Sequence, residues 1–203
     1  MTTRVSRRGF VGQMMFASAG AALLQARDLF GKCGSEAAAA DVVHETFNAL
    51  LAFVVPGRDE YSIQQGDVAS DPGGVEAGGV DALIATVDES TPYFPNFSSV
   101  IATILNDVAM GINPLAVGPY ASAFARLSGP EKAAVFRYLD SNDATKVLAG
   151  VLPAFVAFFV YSEAGSFDPI TRSLTGAPVG WAISNYSGVS DGRDEFLGYF
   201  KGK

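Results

Sequence analysis

The chain has 203 residues, 49% hydrophobic and 17% charged, a balance that excludes disorder of the whole chain because enough apolar side chain is present to offset the entropy lost on folding. The chain has 14 Lys and Arg and 21 Asp and Glu, and the first 40 residues hold five of the basic and two of the acidic residues. The remainder carries nine basic and 19 acidic residues, a net charge of −10. That charge excludes nucleic acid as a partner, and a single His and a single Cys argue against a transition-metal site, an internal disulfide or a cysteine nucleophile.

The first 40 residues have the layout of an export signal. An arginine pair precedes a weakly apolar stretch, residues 12–24, that is rich in Ala, Gly and Ser. This order is typical of the twin-arginine route, which exports folded proteins. The alternative is an arginine pair before an amphipathic helix. We expect the chain to work in the periplasm, in the cell envelope or outside the cell, and the signal residues to be Ser6, Arg7, Arg8 and Phe10.

The signal is predicted to be cleaved rather than to anchor the chain. Its apolar stretch is shorter than the ~20 strongly apolar residues that span a membrane. Residues 38–40 are all Ala and fit a cleavage site before Asp41, with a cut after Ala26 as the alternative. Cys33 follows Lys32 rather than small residues, which argues against a lipid anchor. Residues 41–203 are therefore predicted to form one helical domain without a stable membrane span.

Helical periodicity and its stop signals predict an all-α fold, an irregular helical bundle. Residues 56–79 hold six of the 22 glycines and are predicted to be a long surface loop without a regular element, and residues 165–203 an ordered, mostly irregular tail packed on the bundle. A capping box of Ser128 and Glu131 opens one helix. The predicted helices cover about residues 41–55, 80–88, 97–110, 119–127, 128–139 and 147–161.

The most apolar predicted helix, residues 147–161, has no charged residue and contains Pro153. A membrane span is one interpretation. The run is too short for a span, so a central helix surrounded by protein is the prediction.

Few residues are candidates for catalysis. The chain lacks a nucleophile elbow, a phosphate-binding Gly loop followed by Lys, and metal-spaced His or Cys. His44, beside Glu45, is interpreted as an exposed or capped polar residue, with a general base as the alternative. The remaining carboxylates are interpreted as helix caps or solvated helix ends rather than an acid/base pair; they are Asp59, Glu60, Asp88, Glu89 and Glu163.

Four aromatic residues are the candidates for binding a partner: Trp181, Tyr186, Tyr199 and Tyr61. Tyr61 lies in the predicted loop and the other three in the tail. Trp181, the only Trp, is interpreted as a local plug that holds the tail on the bundle, with a partner anchor as the alternative.

Short motifs in a fixed order carry a resemblance to a known family. They are Val54-Val55-Pro56-Gly57, Pro72-Gly73-Gly74-Val75-Glu76-Ala77-Gly78, Phe124-Ala125-Arg126-Leu127-Ser128 before Glu131, Phe167-Asp168-Pro169, Gly180-Trp181 and Asn185-Tyr186-Ser187-Gly188-Val189-Ser190. With the twin-arginine signal, they resemble the gluconate 2-dehydrogenase subunit 3 family over most of residues 41–200. The sequence departs from the pattern at 185–188, where a Gly-Tyr-Pro-Gly turn is more familiar, but Asn tolerates the left-handed geometry of such a turn.

The resemblance implies a non-catalytic small subunit of a flavin-dependent sugar or polyol dehydrogenase of the glucose-methanol-choline type. The large subunit would hold FAD and carry out the hydride chemistry. This chain would bind no cofactor or metal, and its signal would take both folded subunits through the twin-arginine translocase. The partner is expected to bind at the tail and at loop 56–79.

Two other functions stay open. One is a stand-alone extracytoplasmic enzyme acting on a small molecule, with His44 or the loop carboxylates at its centre. The other is a binding or structural protein that keeps the fold without a dehydrogenase.

Overall fold

The computed structural model of the chain describes residues 36–89, 96–162, 166–168, 170–176 and 178–186, and only the backbone of residues 36–40. In this part of the chain the fold is mostly helical, which confirms the predicted class, with one small antiparallel sheet. The elements are α1 (Glu36–Val54), α2 (Glu60–Gln65), α3 (Val80–Glu89), α4 (Phe97–Ile112), α5 (Ala123–Arg126), α6 (Gly129–Ser141), α7 (Lys146–Tyr161), β1 (Phe167–Asp168), β2 (Ser173–Leu174) and α8 (Val179–Ile183).

Helix α1 is the centre of the bundle and packs against α2, α3, α4, α5 and α7. Phe47, Leu50 and Leu51 recur at helical spacing and are at most 1% exposed. Burying a side chain of this size contributes roughly 1.5–3 kcal/mol. The core is completed by inward residues of α4, α6 and α7, among them Ile101, Leu105, Val135, Leu139, Leu148 and Leu152.

A buried polar cluster fixes the chain between α4 and α6. The Asn106 side chain donates to Thr46 Oγ1 (2.9 Å) and accepts from Ser122 Oγ (2.9 Å). Ser122 in turn caps α5 by accepting from the Ala125 N–H. Because Ser122 takes the capping position, the helix predicted over residues 119–127 is limited to residues 123–126.

The predicted loop contains a helix, so the expectation of no regular element in residues 56–79 is wrong. Asp59 caps the start of α2 by accepting from the Tyr61 and Ser62 N–H groups. Gly66 ends α2 in the left-handed conformation, φ +80°. Asp before and Gly after a six-residue helix are ordinary end signals. The capping box of Ser128 and Glu131 that opens α6 is confirmed.

The tail begins with a short hairpin. Strands β1 and β2 pair antiparallel, with Phe167 opposite Leu174. The Asp168 carboxylate accepts from the Ile170 N–H (2.8 Å) and from Thr171 Oγ1 (2.8 Å), an Asx-type turn. Two-residue strands are too short to show alternation in the sequence.

Candidate functional site

One face of α7 is apolar and exposed, which corrects the prediction of a helix surrounded by protein. Phe158, Tyr161 and Val147 are 64%, 50% and 38% exposed, and Gly150 and Ala154 on the same face are also exposed. We call these five residues the α7 stripe. They span 15 residues, about 21 Å along the helix axis from the first to the last. The opposite face, with Leu148, Leu152 and Val156, forms part of the core. Both faces of α7 are apolar, but the described residues cover only one of them.

Helix α8 packs against the C-terminal end of α7. A Cβ on Gly180 would lie 2.7–2.8 Å from backbone atoms of Tyr161 and Val160, so only glycine permits this approach. The Trp181 ring contacts the Tyr186 ring edge-on at 5.3 Å, and Asn185 adopts the left-handed φ of +53°. The tolerance expected of Asn at this turn is confirmed.

Trp181 and Tyr186 lie at the surface in this arrangement. Trp181 is partly exposed and Tyr186 is 48% exposed. Trp181 is not among the residues of the buried core. The contact between the two rings lies within the tail, and the pair presents aromatic surface beside the end of α7.

A second exposed apolar surface lies where α2 meets the segment after α4. Leu115, Val117 and Ile63 are 84%, 82% and 62% exposed, and we call them the loop patch. The Gln64 side chain donates to the Val117 and Arg126 carbonyls, both at 3.1 Å, and so joins α2 to this segment. The bulky side chains of the loop patch are thus carried on a backbone fixed by hydrogen bonds.

The glycine-rich motif of the loop closes on the end of α1. A Cβ on Gly57 would lie 2.4 Å from Gly73 N, and one on Gly73 would lie 2.4 Å from Gly57 N. The Glu76 carboxylate accepts from the Arg58 N–H (2.7 Å) and the Gly73 N–H (2.8 Å). Burial alone would raise the Glu76 pKa, but these hydrogen bonds outweigh it and lower the pKa. We call Gly57, Gly73 and Glu76 the loop clasp, and its residue types are explained by backbone packing.

A buried lysine lies between α1, α2 and α6. Lys132 is 0% exposed, and its Nζ donates to Gln65 Oε1 at 2.9 Å and to the Ala49 carbonyl at 3.5 Å. The ammonium also lies 5.5 Å from the centre of the Phe124 ring. Desolvation lowers the pKa of Lys132 to about 7, and Asp59 offsets this only in part. Lys132 was not predicted to be a core residue, although it shares the inward spacing of Val135 and Leu139.

Tyr61 is a core residue, which corrects its proposed role as a partner contact. It is 7% exposed and stacks on Tyr120 at 4.4 Å between ring centres. Desolvation raises the pKa of both phenols. Of the other proposed residues, those outside the described part of the chain are Tyr199, Glu163 and the signal residues Ser6, Arg7, Arg8 and Phe10.

The carboxylates singled out from the sequence serve mainly as caps. Asp59 caps α2, and Asp88 accepts from the Ser98 N–H (2.7 Å) and Ser98 Oγ (3.0 Å) in the first turn of α4. This confirms the cap interpretation for both residues. Glu60 and Glu89 are exposed.

Among the described residues, His44 contacts one carboxylate. Its Nε2 lies 2.7 Å from Asp81 Oδ1, in a pair whose side chains are 45% and 84% exposed. Within the described residues, no group of three or more His, Cys, Asp or Glu side chains could hold a metal ion. The His44–Asp81 contact is therefore a surface pair.

No helix among the described residues has the length and apolar character needed to cross a membrane. In comparisons with known proteins, no family model, no curated protein and no solved structure matches the chain.

Proposed function

We propose that the chain is the non-catalytic small subunit and export escort of an extracytoplasmic FAD-dependent sugar or alcohol dehydrogenase. The observation that carries this proposal is the loop patch. Leu115 and Val117 expose more than four fifths of their surface on a backbone held by Gln64. A rigid apolar patch of this kind marks a site of protein contact more often than a site of chemistry.

The motifs that carry the family resemblance support the proposal. The loop motif forms the loop clasp, and Gly180 allows α8 to pack on α7. These motifs fix the two segments, loop and tail, at which the large subunit is expected to bind. The tail adds the exposed ring of Tyr186 next to Trp181. The resemblance thus concerns residues that position a binding surface.

The export signal fits the same role. A flavin is inserted into its enzyme before export, so the enzyme must cross the membrane folded, which the twin-arginine route permits. One signal, with Arg7 and Arg8, would then serve both subunits. FAD would be held by the large subunit and not by this chain.

The test is purification of a tagged chain from the envelope of its own host under native conditions. A larger protein should be recovered with it in constant ratio, release FAD on denaturation and reduce an artificial acceptor with a sugar or polyol. The double variant Leu115→Asp, Val117→Asp should lose this partner because two charges would be buried in the contact. Tyr138→Asp is the matched control, since Tyr138 is 52% exposed on α6 and lies outside the loop patch, loop 56–79 and the tail. Recovery of the unmodified chain alone would refute the proposal.

The His44–Asp81 contact favours one alternative, a stand-alone enzyme with His44 as general base. Turnover of a small substrate by the isolated chain, lost in His44→Ala and kept in Glu89→Ala, would establish that alternative. The accessory-subunit proposal expects no turnover from the isolated chain.

A further inference from the structure

The exposed residues of the α7 stripe are spaced symmetrically about Ala154. Gly150 and Phe158 lie four positions before and after it, and Val147 and Tyr161 seven positions before and after it. In two antiparallel helices related by a two-fold axis, each position faces the position mirrored about the axis. Large side chains would therefore face small ones: Phe158 would face Gly150 of a second copy, and Ala154 would face itself.

A groove beside Gly150 offers a place for an inserted ring. It has a volume of about 340 Å³, and its lining includes Phe53, Phe136, Ala149 and Gly150. A Cβ on Gly150 would meet nothing within 4 Å, so the groove is open at this point of the stripe. A cavity of about 150 Å³ is enough to hold benzene. The groove therefore has room for the side chain of Phe158 from another copy.

The area of the stripe is that of a small, reversible interface. Phe158 and Tyr161 expose 64% and 50% of their surface. Aromatic side chains bury about 150–250 Å² each, so these two rings alone offer on the order of 200 Å² per copy. The rings of two copies together therefore contribute about 400 Å². Val147 and the small residues between them add to this, so the contact falls in the class below about 1,200 Å² that is typical of weak, reversible interfaces.

Charge does not oppose this contact at short range. The chain carries a net charge of −7, but α7 has no charged residue from Val147 to Tyr161. The helix itself would therefore place no charge in the seam. The groove that Phe158 would enter is lined in part by Arg137 and Asp140, two exposed side chains of opposite sign. Repulsion between the bodies is screened beyond about 8 Å at physiological ionic strength.

We propose that the α7 stripe is a two-fold interface between two copies of this chain, in which Phe158 of each copy enters the groove beside Gly150 of the other. The proposal is independent of the accessory-subunit function, because the loop patch is a separate set of residues. Failure to recover a flavoprotein with the chain would not contradict the dimer. A monomeric chain would not contradict the role of the loop patch in binding the large subunit.

Cysteine cross-linking tests the register directly. Cys33 is the only cysteine, so a full-length Cys33→Ser chain with one new cysteine reports on a single position. Ala154→Cys lies on the proposed axis and should form at least about tenfold more disulfide-linked dimer than Ala82→Cys, an exposed alanine of α3, since disulfides need Cα atoms about 6 Å apart. A mixture of Val147→Cys and Tyr161→Cys chains should form more disulfide-linked dimer than either chain alone, because position 147 of one copy would face position 161 of the other.

Sedimentation equilibrium measures the reversible association of the Cys33→Ser chain without oxidant. The expected mass is twice the 21.2 kDa of one copy. Phe158→Asp should raise the dimer Kd by at least about 30-fold, with an unchanged far-UV circular dichroism spectrum. If Phe158→Asp does not fold, the Ala154→Cys comparison still decides.

Three results would overturn the proposal. They are equal cross-linking at positions 154 and 82, no added cross-linking in the mixed 147 and 161 chains, and a mass of one copy at every concentration. A stripe reserved for the larger partner would give all three results.

Discussion

The loop clasp and the α7 stripe differ in how much of their sequence the fold itself explains. At the loop clasp, Gly57 and Gly73 are in backbone contact and Glu76 holds the two segments together, so each residue type has an internal reason. On α7, internal packing explains Leu152 and Val156 but not the exposed rings of Phe158 and Tyr161. Changes at the loop clasp should therefore reduce stability, and changes at the stripe should reduce association.

The largest effect is expected at the loop clasp. In Gly57→Ala, the new Cβ would lie 2.2 Å from Glu76 Oε2 and 2.4 Å from Gly73 N, and the backbone cannot move aside cheaply. We expect a loss of about 3 kcal/mol or more in the free energy of unfolding, measured by urea denaturation. Gly111→Ala is the control, because a Cβ there meets nothing within 4 Å inside α4. It should be neutral or stabilising by up to ~1 kcal/mol.

Two adjacent phenylalanines distinguish the covered face of α7 from its exposed face. Phe159 is 8% exposed and Phe158 is 64% exposed. Phe159→Ala should cost about 3–4 kcal/mol, whereas Phe158→Ala should cost below about 1 kcal/mol in the free energy of unfolding. Both are measured by urea denaturation at protein concentrations where the chain is monomeric, because dimerisation would add to the apparent stability. Equal costs would show that the stripe is buried in the folded chain.

Lys132 should make stability depend on pH. Its pKa is about 7 in the folded chain and about 10.4 when unfolded, so between these values the unfolded chain binds a proton that the folded chain does not. Stability should therefore rise with pH from 7, by ~2–3 kcal/mol at pH 9.5, and the full cost of burying the charge applies below pH 7. Thermal and urea unfolding between pH 6 and 9.5 would measure this rise.

The control for that prediction is Lys132→Met, which keeps the length of the side chain without the titrating amine. Its stability should be nearly flat between pH 7 and 9.5. Tyr61 and Tyr120, whose pKa values are raised, do not titrate in this window. The same pH dependence in both proteins would show that Lys132 is not its source.

The sequence predicted those parts of the fold that depend on local periodicity and end signals. Phe47, Leu50 and Leu51 marked α1, and Ser128 with Glu131 marked the start of α6. Helix α2 was missed because the glycines around it outweighed the signals of Asp59 and Gly66.

The candidate surfaces were only partly predictable, for a different reason. The sequence showed that α7 is apolar all round, but only packing decides which of its faces is covered. The same holds for Lys132, a charged residue assigned to the surface by type and placed in the core by its neighbours. Glycine spacing indicated that segments could approach closely, but it did not indicate that Gly57 would meet Gly73.

The escort role is tested most directly by changing Arg7 and Arg8 together to lysine in the host. Two lysines keep the positive charge of the signal and remove the part of it that is specific to arginine. The measurement is FAD-dependent sugar or polyol dehydrogenase activity in envelope and cytoplasmic fractions, with this chain followed by immunoblot. Our account predicts that both the chain and the dehydrogenase activity stay in the cytoplasm. Dehydrogenase activity that still reaches the envelope while the chain stays behind would contradict it.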